Sequence, residues 1–350
     1  MARPLAAPLL DPLPALLATS FVGALGMGVS LRAQLAGLPV PGPGAGALRS
    51  AHEHLAWYGL VLPLAWVGLE RAGLARPGPA TAWAYAAAVA LSTAGFLHSG
   101  YNAVSITGST VVLAVWLAWA APGLRHLLRR DWRAVAAVAV IASAVAIPAV
   151  AVLSRRGDPA ASSVVRSFLS WLLLGVAAPA ALARAGARAP IGALGAALML
   201  AAGLSLGFGG GPLGRLGLAG CGLMLGSAGV TAPLSRTERA AWALVGLGLA
   251  LTAAGLIPEQ YPIPLANLHV TALGPVLVGL AWPQELGAWR GPYLCVVALF
   301  GLAIAGPALL PWAGWAALSF TLGAGVALSW ALVGLRQARV RRGALLSMQA

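Results

Sequence analysis

Histidine is the residue on which chemistry in this chain would turn, and two segments present it at related spacing. One reads His52-Glu-His54-Leu-Ala-Trp-Tyr-Gly59, the other His269-Val-Thr-Ala-Leu-Gly274, and each continues with Val-Leu at matching positions. Neutral imidazoles at equal depth on two facing helices satisfy the axial requirement of haem iron, and small residues a turn below leave room for a flat macrocycle. His54 shares the glycine spacing of His269 and is therefore the expected partner ligand. His52 lies two residues away and points roughly 200° from His54 on a helix. With His98 it forms a candidate copper site, imidazole being a suitable copper ligand. A haem also brings two carboxylates, for which Arg49, Arg155, Arg156 and Arg166 are the candidate partners.

Plainer roles compete at these positions. Arg155 and Arg156 sit in a polar Ser-Arg-Arg-Gly-Asp-Pro turn, Arg166 can snorkel to headgroups, and His98 beside Gly100, Tyr101 and Asn102 can cap a hairpin. Glu53, the acid between His52 and His54, is placed to orient an imidazole or carry a proton. His126, among Arg125, Arg129 and Arg130, is expected to be solvated or to face headgroups.

Composition names the solvent in which the elements must hold these residues. Of 350 residues 60% are apolar and 9% charged, with a mean hydropathy of +0.86; a soluble domain carries roughly 25% charged residues. Most of the chain must therefore face lipid. All 22 basic residues are arginine, against eight acids, for a net charge of +14. They cluster between apolar runs, where they meet phospholipid headgroups, so nucleic acid is not an expected partner. Cys221 and Cys295 fall inside apolar runs and are expected to pack as small apolar side chains.

Each crossing of the hydrocarbon needs about 20 apolar residues. Cutting at charges, prolines and glycine clusters gives about twelve such runs on that criterion. Their bounds are near 13–33, 51–69, 80–98, 102–121, 134–153, 161–182, 190–208, 213–234, 240–257, 264–282, 291–308 and 312–335. The joins at His98–Asn102 and Phe208–Pro212 are short enough for a tight hairpin or a re-entrant feature. The stretch after Met1 has one arginine, then Asp11 and several prolines, and is expected to stay as the first span rather than be cleaved. With the N-terminus inside, sixteen of the 22 arginines fall on inner segments, leaving Arg32, Arg49, Arg155, Arg156, Arg166 and Arg215 outside. This bias puts both termini in the cytoplasm, and four of the five histidines at the outer level. The expected architecture is a single all-α transmembrane bundle over residues 1–350, with a cytoplasmic tail at 336–350.

The His52-Glu-His54 segment with Gly59 resembles the His-x-His-x-x-x-x-Gly signature of the NnrS family, and His269 with Gly274 resembles that family's later His-x-x-x-x-Gly helix. The resemblance implies a twelve-span protein of the bacterial inner membrane, associated with haem, copper and the response to nitric oxide. The same two helices are distantly similar to the second and tenth spans of haem-copper oxidase subunit I, which carry ligands of a low-spin haem. The sixth and seventh spans lack histidine, so the copper ligands of an oxygen-reducing centre are missing and oxidase activity is not expected. Where NnrS proteins tend to carry a Gly-His-Thr-Gly-type segment, this chain has Leu280-Ala-Trp-Pro-Gln-Glu285. The expected function is a b-type haem protein acting in electron transfer or nitric oxide response at the outer face, with a redox protein or quinol as partner. The competing expectation is a metal-free twelve-span transporter, with Gly209–Pro212 or Tyr261–Pro264 supplying unwound backbone.

Overall fold

The structure, a computed structural model, describes residues 12–75, 77–257, 263–282, 284–310, 312 and 314–347. Arg3, Arg76, Glu259, Tyr261 and Pro262 lie outside the described residues. In chain order the main helices are α1 (Leu13–Leu35), α2 (45–71), α3 (Pro79–Ser99), α4 (Ala103–Ala120), α5 (Trp132–Arg155) and α6 (Ala160–Arg184). They continue with α7 (Gly192–Phe208), α8 (Pro212–Thr231), α9 (Arg236–Ala253), α10 (263–281), α11 (Arg290–Leu309) and α12 (Trp315–Ser347). No strand forms among the described residues; Arg130 and Ile191 share an isolated bridge. Eight helices, α1, α3, α4, α5, α6, α8, α11 and α12, are long and apolar enough to cross a membrane. The α6 span is the most enclosed of these, and α1 and α12 are the most peripheral.

Local sequence explains the joins. Both short connections are tight hairpins, not re-entrant segments. Gly100 (φ 69°) and Gly209 (φ 84°) take the left-handed backbone conformation that closes them. Asn102 then caps α4, accepting from the Val104 and Ser105 N–H groups while Ser105 returns the contact. At the opposite end of the bundle Ser235 and Glu238 form the same kind of reciprocal cap on α9, and Glu238 pairs with Arg290 of α11 at 3.0 Å. Asp131 caps α5 and grips Arg133, which also donates to the Gly73 carbonyl after α2. Burial pushes the Asp131 carboxyl up, but its hydrogen bonds from Arg133 prevail and hold it below the usual carboxylate range. His126, expected to be solvated or to face headgroups, is instead buried against this pair, with Nδ1 3.4 Å from Asp131.

Three helices share an irregularity at one register. In α2, α6 and α10 the backbone widens to i→i+5 hydrogen bonding over Leu55–Val61, Leu172–Ala177 and Ala272–Val276. Leu62 N–H donates to the Trp57 carbonyl, Ala178 to Leu173, and Leu277 to Ala272. Each donor lies three residues after Gly59, Gly175 or Gly274, and each acceptor two residues before it. Proline supplies the cause. Pro63 and Pro179 stand four residues after Gly59 and Gly175, so they offer those carbonyls no N–H and press a ring against them. In α10 the same role falls to Pro275, and Gly274 leaves helical geometry with ψ of −110°. The buried Tyr85 hydroxyl donates to the Tyr58 carbonyl within the first widened turn.

The irregularity recurs every fourth helix, dividing the bundle into three units: α1–α4, α5–α8 and α9–α12. Each unit has a lead helix, a widened central helix, and a packed pair, α3 with α4, α7 with α8, and α11 with α12. The later halves of α2, α6 and α10 pack on one another. Gly68 permits this: a Cβ there would stand 2.6 Å from the Ala180 carbonyl oxygen on α6. Beside this junction, Trp66 stacks on Trp116 at 5.3 Å and Trp119 meets both edge-on. Gly68→Val should overpack this contact at a cost of about 1–3 kcal/mol, read as a lower melting temperature in detergent. Gly248→Ala, where a Cβ meets nothing within 4 Å, should leave it unchanged or higher.

Candidate functional site

Between the three units, at the end of the bundle that carries His52, His54 and His269, lie three cavities lined by the widened helices. The first, about 390 Å³, is lined by α1, α2, α10, α11 and α12, with Leu169 of α6 at its border. Its volume is within the roughly 300–1,000 Å³ of small-molecule and cofactor sites. His52 and His269 both line it. His52 Nδ1 donates to the Ala24 carbonyl at 2.8 Å, which fixes the tautomer and leaves Nε2 as the ring's lone-pair nitrogen. His269 sets its ring edge against Phe300, 5.8 Å between centroids. Small residues open the walls: Ala24, Gly28, Ala56, Ala272 and Gly323. A Cβ on Gly28 would come within 2.8 Å of the His52 ring, so that glycine sets the imidazole's position. Arg49 and Arg32 also line this cavity, Arg32 with its guanidinium 5.6 Å from the Phe300 ring centre.

His54 is placed elsewhere. It stacks on Phe96 at 3.7 Å, meets Tyr58 and Tyr101 edge-on, and donates Nδ1–H to the Ser50 carbonyl at 2.7 Å. It lines the second cavity, only about 30 Å³, together with Phe168. The expected facing pair of His54 and His269 is therefore not formed; His52 is the histidine that shares a cavity with His269. His98 is exposed on α3, which packs on the His54 side of α2, so His52 and His98 do not converge either. Among the described residues no group of three or more His, Cys, Asp or Glu side chains is gathered for a metal ion.

The arginines separate in the same way. Arg49 pairs with Glu53 at 2.8 Å, and both line the first and third cavities. Arg166 lines only the third, donating to Ser163 Oγ and the Gly207 carbonyl. Arg155 and Arg156 are exposed at the end of α5 and line none of the three. Arg32 was missed as a cavity residue. The signal available was its place at the end of the first span, level with Arg49. Cys221 is buried in α8 and Cys295 is exposed on α11.

The third cavity, about 790 Å³, is lined by α2, α6 and α10 together and carries Ser170 and Asn267. The three cavities obey one rule. Counting back from Gly59, Gly175 and Gly274, the residue at minus five is His54, Ser170 or His269, and the residue at minus seven is His52, Phe168 or Asn267. Each cavity holds the minus-five residue of one unit and the minus-seven residue of the next. Comparison with family models, curated proteins and solved structures finds no match to this chain. At neutral pH diethylpyrocarbonate should modify exposed His98 well before His54, as peptide mass mapping can establish; equal rates would contradict the burial of His54.

Proposed function

We propose that the protein is a multi-pass b-type haem protein of the bacterial inner membrane, similar to NnrS, acting in electron transfer or nitric oxide response at the outer face. The observation that carries this reading is one cavity lined by two imidazoles from separate helices, with small residues in its walls and arginines beside it. His52 and His269 are the proposed axial ligands. The Ala24 carbonyl orients His52, Phe300 backs His269, and Arg32 and Arg49 receive the two carboxylates. Haem bound there supplies a one-electron ferric/ferrous couple. Held by both imidazoles, such a haem would be suited to electron transfer rather than gas binding. Copper at His52 and His98 is not part of the reading, since the two face different surroundings.

The eight long apolar helices together with α2, α7, α9 and α10 are taken as twelve spans. On the excess of arginines in the far segments we take both termini as cytoplasmic and four of the five histidines as lying at the outer level, within reach of a redox protein or quinol. The metal-free transporter is the competing reading, and the large cavity lined by α2, α6 and α10, with Arg166, Ser170 and Asn267 in its wall, is what favours it. One spectrum separates the two. Protein purified from haem-replete cells should show a Soret band that sharpens on reduction. His52→Ala and His269→Ala should abolish it and His54→Ala should retain it. A colourless, iron-free protein would overturn the haem reading, and loss on His54→Ala with retention on His52→Ala would overturn the ligand assignment.

A further inference from the structure

The third cavity is the largest of the three between the units and is graded along its depth. Arg49, Glu53 and Arg166 are its charged residues, and Glu53 is the acid that pairs with Arg49. Arg166 uses Nη2 on Ser163 and Gly207, and no carboxylate pairs with it among the described residues. One turn further along α6 lies Ser170, 6% exposed and lining the cavity; its hydroxyl has no hydrogen-bond partner among the described residues. Across from it, Asn267 on α10 accepts from Thr271 Oγ1 at 3.4 Å, while its amide NH₂ likewise has no partner there. Leu169, Leu173, Leu174, Leu206, Leu249 and Leu268 form the apolar part of the wall. Ser170 and Asn267 stand where His269 and His52 stand in the first cavity.

A low-dielectric site with an uncompensated guanidinium, two idle donors and an apolar wall selects a ligand rich in acceptor oxygen at one end and hydrocarbon at the other. We propose that this cavity binds an amphipathic organic oxyanion, its carboxylate or phosphate on Arg166, its next oxygen on Ser170 and Asn267, and its apolar body among the leucines. Such a head belongs equally to a free organic acid or to an anionic lipid. This site adjoins the two-histidine cavity across a shared border of Gly46, Arg49, Glu53, Leu169 and Leu268, but Arg166, Ser170 and Asn267 line it alone.

The test is calorimetric titration of the full chain in nanodiscs of zwitterionic lipid, with octanoate as probe and octanol as the uncharged control. No haem signal is read, so its outcome is distinguishable from that of the haem assignment. Saturable octanoate binding is expected, weakened about tenfold or more by Arg166→Gln and by Ser170→Val, the loss of one charge-assisted or buried hydrogen bond. Arg215→Gln, an exposed outer-level arginine, should bind as the parent does. Competition by phosphatidylglycerol in the nanodisc would support the site and name lipid as the source; undiminished binding in its presence would support a free acid. Absence of saturable binding, equal binding of octanol, or undiminished binding by folded Arg166→Gln, checked by its melting temperature, would overturn the proposal.

Discussion

Within hydrocarbon a backbone carbonyl has no water to turn to, so each one must be answered by protein. In α2 and α6 a proline withholds the N–H that the carbonyl four residues earlier would take, and the helix responds by reaching one residue further. The rest of the site depends on this adjustment. A turn with one extra residue rotates everything before it relative to everything after it. The halves of α2, α6 and α10 that precede the widened turns can therefore diverge around cavities while their later halves pack closely through Gly68 and Ala180. Glycine stands at the critical carbonyl because another helix presses on it: a Cβ on Gly59 would run into Ser20 of α1, and one on Gly175 into Ala139 of α5.

The three cavities show how one scaffold yields different chemistry by changing two positions. Where the facing residues are His269 and His52, the cavity can offer two nitrogens to a metal. Where they are His54 and Phe168, aromatic rings from Phe96, Tyr58 and Tyr101 close in, leaving about 30 Å³, room for little more than a water or two by the roughly 10–15 Å³ each requires. Where they are Ser170 and Asn267, the space stays open and the lining offers hydrogen bonds and cations. Aromatic packing in the middle case stabilises by roughly 0.5–1.5 kcal/mol per ring pair, which suits that cavity to support rather than ligand exchange.

Much of the architecture was legible in the sequence because lipid enforces a simple rule. Apolar runs of sufficient length become helices, and each of the twelve expected runs overlaps a helix in the structure. At Gly100 and Gly209 the sequence left a hairpin and a re-entrant feature both open, and the structure closes them as hairpins because glycine takes positive φ without strain. What was not legible was rotation about the helix axis. The widened turns leave no mark in hydropathy, and the Gly-x-x-x-Pro spacing that causes two of them is easily passed over among 45 glycines and 25 prolines. His126 was misread for a related reason: local charge predicted solvent, but Asp131 and the start of α5 fold over it.

The exchange of His54 for His52 follows from symmetry. Matching spacing to Gly59 and Gly274 makes His54 and His269 equivalent positions in repeated units, and equivalence argues against their meeting. Around a closed ring of three units each interface is heterologous, so it joins one surface of a unit to a different surface of the next. Two residues at equivalent positions then face two different cavities. A facing pair must come from unlike positions, and on a helix a step of two residues, about 200°, carries a side chain from one side to nearly the other. His52 satisfies that condition against His269, and the same offset pairs Phe168 with His54 and Asn267 with Ser170. In a chain built this way, the partner of a ligand is found by looking two residues before its repeat equivalent.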